Sequence, residues 1–280
     1  MARPRDGAAG HGGGFEERGP HGTGPAHLVG ARALMAGFVL IHGSWHGGWC
    51  FDPVAELLRA RGHTVVAPTL PAMGGTAEEM AAITLGDWGR FAAQHCRELK
   101  AQLGGAPVVL AGHSRGGLVV STAAERDPEA MDALVYICAM MLPSGVSRAE
   151  FKALEEPNPD FDAIISKVHD GAATVVDPER AGPVFAQLSP PELVAGVLPR
   201  LLAEPHGPRA ELLQLSAQRW GSLPRTYIEC TEDRTIPITS QRRMQAMSPG
   251  ARVVTLDADH SPYLSRPVEL ADALEGAIPA

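Results

Sequence analysis

Residues 112–117 read GHSRGG, directly after the apolar run APVVLA and directly before the helix-like GLVVSTAAERD. A serine in a G-x-S-x-G pattern between a strand and a helix is placed to act as a nucleophile. Gly112 and Gly116 are needed because the serine sits on a sharp turn where neighbouring side chains would collide. The turn lifts the Ser114 hydroxyl above the sheet, and the positive end of the following helix favours negative charge developing there. A tight glycine turn with an idle serine would show the same five residues; the strand before it and the helix after it favour the nucleophile.

A hydroxyl is a weak nucleophile until a base takes its proton. Of the eleven histidines, His260 stands in LDADHSPYLSRP, after the strand-like RVVTL and before a closing helix, PVELADALEGA. It is the expected base. His11, His21 and His27 lie near the N-terminus, His63, His95, His169 and His206 stand in surface-like contexts, and His113 is pinned inside the turn. The base must be held in one tautomer, which a carboxylate achieves by accepting from its other ring nitrogen. Asp233, in TEDRTIP a few residues after RTYIEC, is the expected partner, with Glu232 its nearest competitor. Asp257 and Asp259 adjoin His260, but near neighbours in a loop rarely face one another. The oxyanion of a tetrahedral intermediate needs backbone N–H donors. The amide of Arg115 is one; the loop HGSWHGGWC, His42 to Cys50, offers Ser44 as the second. Trp45 and Trp49 in that loop read equally as core or as pocket wall.

These residues need a frame. GFVLI, HTVVAP, APVVLAG, ALVYIC, RTYIEC and RVVTL are short apolar runs bounded by turn residues, the pattern of strands buried on both faces. Helical stretches such as PVAELLRARG alternate with them, which predicts an α/β fold with a mostly parallel sheet between helices. The alternation breaks over residues 144–222, which read as a helical cap insertion without a convincing strand. Residues 1–35 lack a sustained hydrophobic period and read as a disordered or loosely attached tail, leaving 36–280 as the catalytic domain.

Composition narrows the partners. The chain of 280 residues has a formal net charge of -8 and no long basic run, against nucleic acid or an anionic membrane as partner. No apolar stretch approaches the roughly 20 residues of a membrane span. Cys50, Cys96, Cys138 and Cys230 have no metal-binding or redox spacing and read as buried thiols, so no metal and no organic cofactor is implied. With no apolar segment of the roughly 7 to 15 residues that marks a secretory signal near Met1, the expected location is cytoplasmic. A small neutral or apolar ligand fits this charge better, and with a serine nucleophile the expected substrate is a small-molecule carboxylic ester of an apolar alcohol; the oligomeric state is open, a homo-oligomer included.

Taken together, FVLIHGSWHGGWCF, GHTVVAPTLPAMG, VVLAGHSRGGLV, PRTYIECTEDRTIP and DADHSPYLSRPVELA resemble the α/β-hydrolase superfamily over about residues 36–279. Within it the chain is similar to the group of plant methylesterases, hydroxynitrile lyases and bacterial carboxylesterases, some of which hydrolyse pyrethroids. The resemblance implies a serine esterase, with the triad Ser114, Asp233 and His260 and the oxyanion amides of Ser44 and Arg115. The lyases carry threonine where this chain has Gly43 and lysine where it has Ser261, so both departures favour ester hydrolysis over a lyase. Another non-hydrolytic enzyme on the same triad, such as a carbon–carbon bond-cleaving member or a cofactor-free dioxygenase, and a ligand-binding receptor with a hydrolase fold are further alternatives. The insertion is expected to line an apolar pocket, with Phe151, Leu154, Phe161, Phe185 and Leu188 as candidates. The choice of arginine at 115 has no explanation in the sequence.

Overall fold

The computed structural model describes residues 35–279; apart from Met35, the expected tail lies outside them. Six strands form one parallel sheet: β1 (Gly37–Ile41), β2 (Thr64–Val66), β3 (Val108–His113), β4 (Ala133–Ile137), β8 (Arg225–Cys230) and β9 (Ala251–Leu256). Their order is β2-β1-β3-β4-β8-β9, and every pair in it is parallel. Each of the six apolar runs supplies one strand, as expected for an α/β hydrolase.

Because side chains alternate along a strand, each run feeds two cores. Phe38 and Leu40 of β1, with Val109, Val135 and Ile228, face helices α1 (Asp52–Ala60) and α12 (Pro267–Glu275), where Val54, Leu58, Leu270 and Leu274 meet them. On the opposite face Val39, Ile41, Leu110, Leu134 and Tyr227 pack on α3 (Leu85–Gln102), α4 (Gly116–Arg126) and α10 (Ile238–Met247) through Trp88, Val120 and Met244. Each fully buried side chain of this size contributes about 1.5–3 kcal/mol. Thr76 and Thr84 close capping boxes ahead of α2 (Ala77–Ala82) and α3, which fixes where the chain enters those helices. β9 departs from the expectation of burial on both faces. It is an edge strand, and Val253 is 45% exposed.

The cap lies between β4 and β8, neighbours in the sheet. Helices α5 (Arg148–Lys152), α6 (Pro159–Asp162), α7 (Pro178–Phe185), α8 (Pro191–Val197) and α9 (Gly207–Ala210) make up part of it. The expectation of a cap without strands is corrected: β5 (Ile165–Val168), β6 (Ala173–Val176) and β7 (Glu204–Pro205) form an antiparallel sheet in the order β5-β6-β7. These strands have four, four and two residues, too short to print a period of two on the sequence. The turn between the first two uses Asp170 and Gly171 at φ 53° and 88°. The last helix before α12 is α11 (Pro262–Ser265).

Candidate active site

β3 ends at His113 and α4 begins at Gly116, so Ser114 and Arg115 make the whole turn. Ser114 has φ 53°, a left-handed conformation that costs a non-glycine residue on the order of 1–3 kcal/mol. The surroundings hold it there: its N–H donates to Ile137 O (3.1 Å), and its carbonyl accepts from Met140 N (2.9 Å) and Gly117 N (3.2 Å). Both glycines are required by contact. A Cβ on Gly112 would lie 2.6 Å from Gly116 O, and one on Gly116 would lie 2.7 Å from Ile41 O and 2.8 Å from His42 O.

The loop between β9 and α11 brings His260 over this turn. Its Nε2 is 3.0 Å from Ser114 Oγ and its Nδ1 is 2.7 Å from Asp233 Oδ2. With Nδ1–H donating to the carboxylate, Nε2 is left to accept the hydroxyl proton. All three residues are buried. Asp233 is held in turn: Oδ1 accepts from the amides of Thr235 (2.7 Å) and Ile236 (2.8 Å), and Gln241 Nε2 approaches Oδ2 at 3.4 Å. His113 Nε2–H donates to the carbonyl of His260 at 2.7 Å, so the residue before the serine also anchors the histidine loop. Burial pushes the His113 pKa well down, which keeps it neutral.

The competing carboxylates are elsewhere. Glu232 is exposed, and the Asp257 side chain is 78% exposed. Asp259 is fully buried but turned away from His260: Oδ2 accepts from Leu188 N (2.8 Å) and Ser189 Oγ (3.0 Å), Oδ1 from Ser261 N (3.0 Å) and Ser265 Oγ (2.8 Å). It joins the histidine loop to the cap, a role the sequence did not suggest. His63, expected at the surface, is buried instead, with Nδ1 accepting from Ala36 N (3.2 Å) and Nε2 2.7 Å from Glu275.

The loop after β1 lies beside the turn. Ser44 and Arg115 border one cavity with Ser114, and neither amide has a backbone partner among the described residues. Two histidines brace the loop. His42 Nδ1–H donates to Gly43 O (2.8 Å) while its Nε2 accepts from Leu70 N (3.0 Å), and His46 Nδ1–H donates to Ser44 O (2.7 Å). A ring nitrogen that accepts an amide cannot carry a proton, and burial lowers the His42 pKa to about 3 and that of His46 to about 4. The arginine at 115 now has an explanation. Its Nε lies 2.5 Å from Oε1 of the fully buried Glu204 on β7, and its guanidinium stacks 4.2 Å from the Trp88 ring. Glu204 Oε1 also accepts from Ser44 Oγ at 3.1 Å, so a single cap carboxylate ties both residues expected to supply the oxyanion amides.

The cavity against Ser114 holds about 40 Å³. Phe161 and Phe185 line it as expected, with Trp45 and His46 beside them. The other three apolar candidates do not. Phe151 is fully buried in the core above α3 and α4, while Leu154 and Leu188 are 52% and 41% exposed. Trp45 is therefore a pocket wall, whereas Trp49 packs at the edge of the other core beneath Arg200. The lining also includes Arg148 and Arg209, which sequence reasoning missed. All four cysteines are buried and unpaired. His113, Cys138 and His260 cluster closely enough to suggest a metal, but both nitrogens of His260 are engaged and burial pushes the Cys138 thiol up, so the donors fit an ion poorly. Among the described residues no helix is long and apolar enough to cross a membrane.

The family model described as the alpha/beta hydrolase family matches residues 38–273. A pyrethroid hydrolase of Sphingobium wenxiniae is 32% identical over 243 residues, which covers 84% of this chain and 85% of the relative. Methyl jasmonate esterase 1 of Vitis vinifera is 29% identical over 267 residues, covering 85% and 95%. The crystal structure of a pyrethroid hydrolase from Sphingobium faniae JZ-2 superposes with a TM-score of 0.75 at 30% identity, over 86% of this chain and 96% of that one. With the sheet order, the strained serine turn and these likenesses in agreement, the chain belongs to the alpha/beta hydrolase family.

Proposed function

We propose that this carboxylic ester hydrolase works through an acyl-enzyme formed on Ser114. The observation that carries the proposal is the buried hydrogen-bonded chain from Ser114 Oγ through His260 to Asp233, whose second oxygen is fixed by two backbone amides. His260 Nε2 takes the hydroxyl proton as Oγ attacks the ester carbonyl. The amides of Ser44 and Arg115 receive the oxyanion, and His260 returns the proton to the leaving alcohol. Water then enters, gives its proton to His260 and releases the acid.

A cyanohydrin lyase on the same triad is disfavoured by the backbone. A Cβ at Gly43 would stand 2.7 Å from the Ser114 Cβ, which leaves no room for the threonine such lyases carry, and Ser261 is buried where they carry lysine. Relatives named pyrethroid hydrolase put pyrethroids on the substrate panel, although a cavity of about 40 Å³ admits so bulky an ester only if the cap yields. The test is hydrolysis of p-nitrophenyl esters from acetate to octanoate and of one pyrethroid, by the native chain and by Ser114→Ala. The variant is expected to lose on the order of a thousandfold or more in kcat. A folded native chain inert on the whole panel overturns the proposal.

A further inference from the structure

The three arginines of the active-site cavity are unequally matched. Arg115 Nε lies 2.5 Å from Glu204, although its Nε and Nη1 lack a well-aligned hydrogen-bond acceptor. Arg148 Nη1 lies 2.8 Å from Glu155 Oε2, but at an angle that leaves this buried nitrogen without a hydrogen-bond acceptor. Arg209, on α9, has neither a carboxylate within ion-pair distance nor a side-chain acceptor among the described residues. Asp233 is already engaged by His260 and two backbone amides, so Arg209 is the guanidinium left without a carboxylate at ion-pair distance among the described residues. The cost of holding like charges together in a partly desolvated site marks it as prepared for an anion.

Position gives that charge a use. The inner cavity touching Ser114 shares Arg148, Phe161 and Arg209 with an outer cavity of about 310 Å³, so the two arginines stand at the neck between them. The outer cavity adds Lys152 and His206, with Asp162 as its acid; Lys152 and Asp162 are already paired at 3.2 Å. The inner space, about three water volumes, has room for the ester carbonyl and a small substituent. The longer half of a substrate must therefore run outward past Arg209 and Arg148.

We propose that the site selects esters whose longer half ends in a carboxylate or like anion, bound at the neck by Arg209 and Arg148 while the ester carbonyl lies against Ser114. The proposal rests on the serine-esterase reading and names its substrate class. Charge-assisted hydrogen bonds to one or two guanidiniums favour such an ester over a neutral one of equal length by about 10- to 100-fold.

The experiment compares half-methyl esters of succinate, glutarate and adipate with methyl butanoate, pentanoate and hexanoate, as ratios of kcat/KM. At least one half-ester is expected to exceed its neutral counterpart tenfold or more. Arg209→Ala should bring that ratio to near one, and Arg209→Lys should restore part of it. A second readout needs no variant: the monoamides of adipate or glutarate, each with one free carboxylate, should inhibit p-nitrophenyl acetate hydrolysis competitively at concentrations where the uncharged hexanamide or pentanamide does not. A native chain that hydrolyses the neutral esters as well as the half-esters refutes the anion assignment and leaves the esterase reading standing. Equal losses on both substrate sets in Arg209→Ala also refute it, since the charge would then serve the transition state rather than recognition. Inactivity on every ester, p-nitrophenyl acetate included, removes the esterase reading itself.

Discussion

Glu204→Ala removes the only carboxylate within ion-pair distance of Arg115 among the described residues. What remains around the guanidinium is the Trp88 ring at 4.2 Å and Met73 Sδ at 3.8 Å, while the Arg115 side chain is 5% exposed. An uncompensated charge in such a place costs about 3–5 kcal/mol, much more than the net worth of the pair itself. For a domain of this size that corresponds to a fall in Tm of about 6–20 °C. Replacing both partners, as Arg115→Leu with Glu204→Leu, strands no charge and should be near neutral or even stabilising by a few kcal/mol. Urea unfolding of Arg115→Leu, Glu204→Leu and the double variant forms the cycle, with midpoints read at constant slope. A loss below about 1 kcal/mol in Glu204→Ala would mean that water already screens Arg115, and the burial argument would fall. A double variant as damaged as the single one would mean that shape, not charge, holds the cap there.

Asp233→Asn should lower kcat on the order of ten-thousandfold with little change in fold, because the amides of Thr235 and Ile236 would claim the carboxamide oxygen and point its NH₂ at His260 Nδ1, forcing the wrong tautomer; near-normal turnover of esters would contradict this. Gly116→Ala drives a Cβ against two carbonyls, so a lowered Tm and lost activity are expected, and an unchanged melting curve would disprove the contact argument. Acid should destabilise the chain through His42 and His46. Their pKa values fall from 6.5 to about 3 and about 4 on folding, so the unfolded chain binds more protons below pH 6.5. The stability that their neutral forms supply is complete above that pH, is lost progressively as pH falls below 6.5, and is gone once pH has passed about 4 for His46 and about 3 for His42. Tm measured from pH 7 to 4 should decline, with a shallower slope in His42→Gln; a flat profile in the native chain would overturn the assignment.

The parts of this molecule that could be read from its sequence are those written in contiguous residues. Six apolar runs became six strands, and Ser114, Asp233 and His260 each follow a strand end, so the sheet brings them together even though 146 positions separate the serine from the histidine. Arg115 could not be explained because its partner, Glu204, stands on a two-residue strand deep in the cap. The cap as a whole resisted reading for the same reason: strands this short carry no period, and without a frame the apolar residues Phe151, Leu154 and Leu188 could not be sorted between core, surface and pocket. His63 looked solvent-facing by composition, yet it caps a contact with Glu275 more than two hundred residues away.

Because β4 and β8 are adjacent and parallel, the chain must cross from one end of the sheet to the other between them, and the cap is spliced into that crossover. Chimaeras that exchange caps between relatives can therefore vary its length widely, but they inherit fixed sockets, among them Glu204 for Ser44 and Arg115, Leu188 and Ser189 for Asp259, and Gln187 for the carbonyl of Glu232. A donor cap lacking an acid at the first socket should be paired with a neutral side chain at 115, so recombination libraries for this scaffold should mutate positions 115 and 204 as one unit.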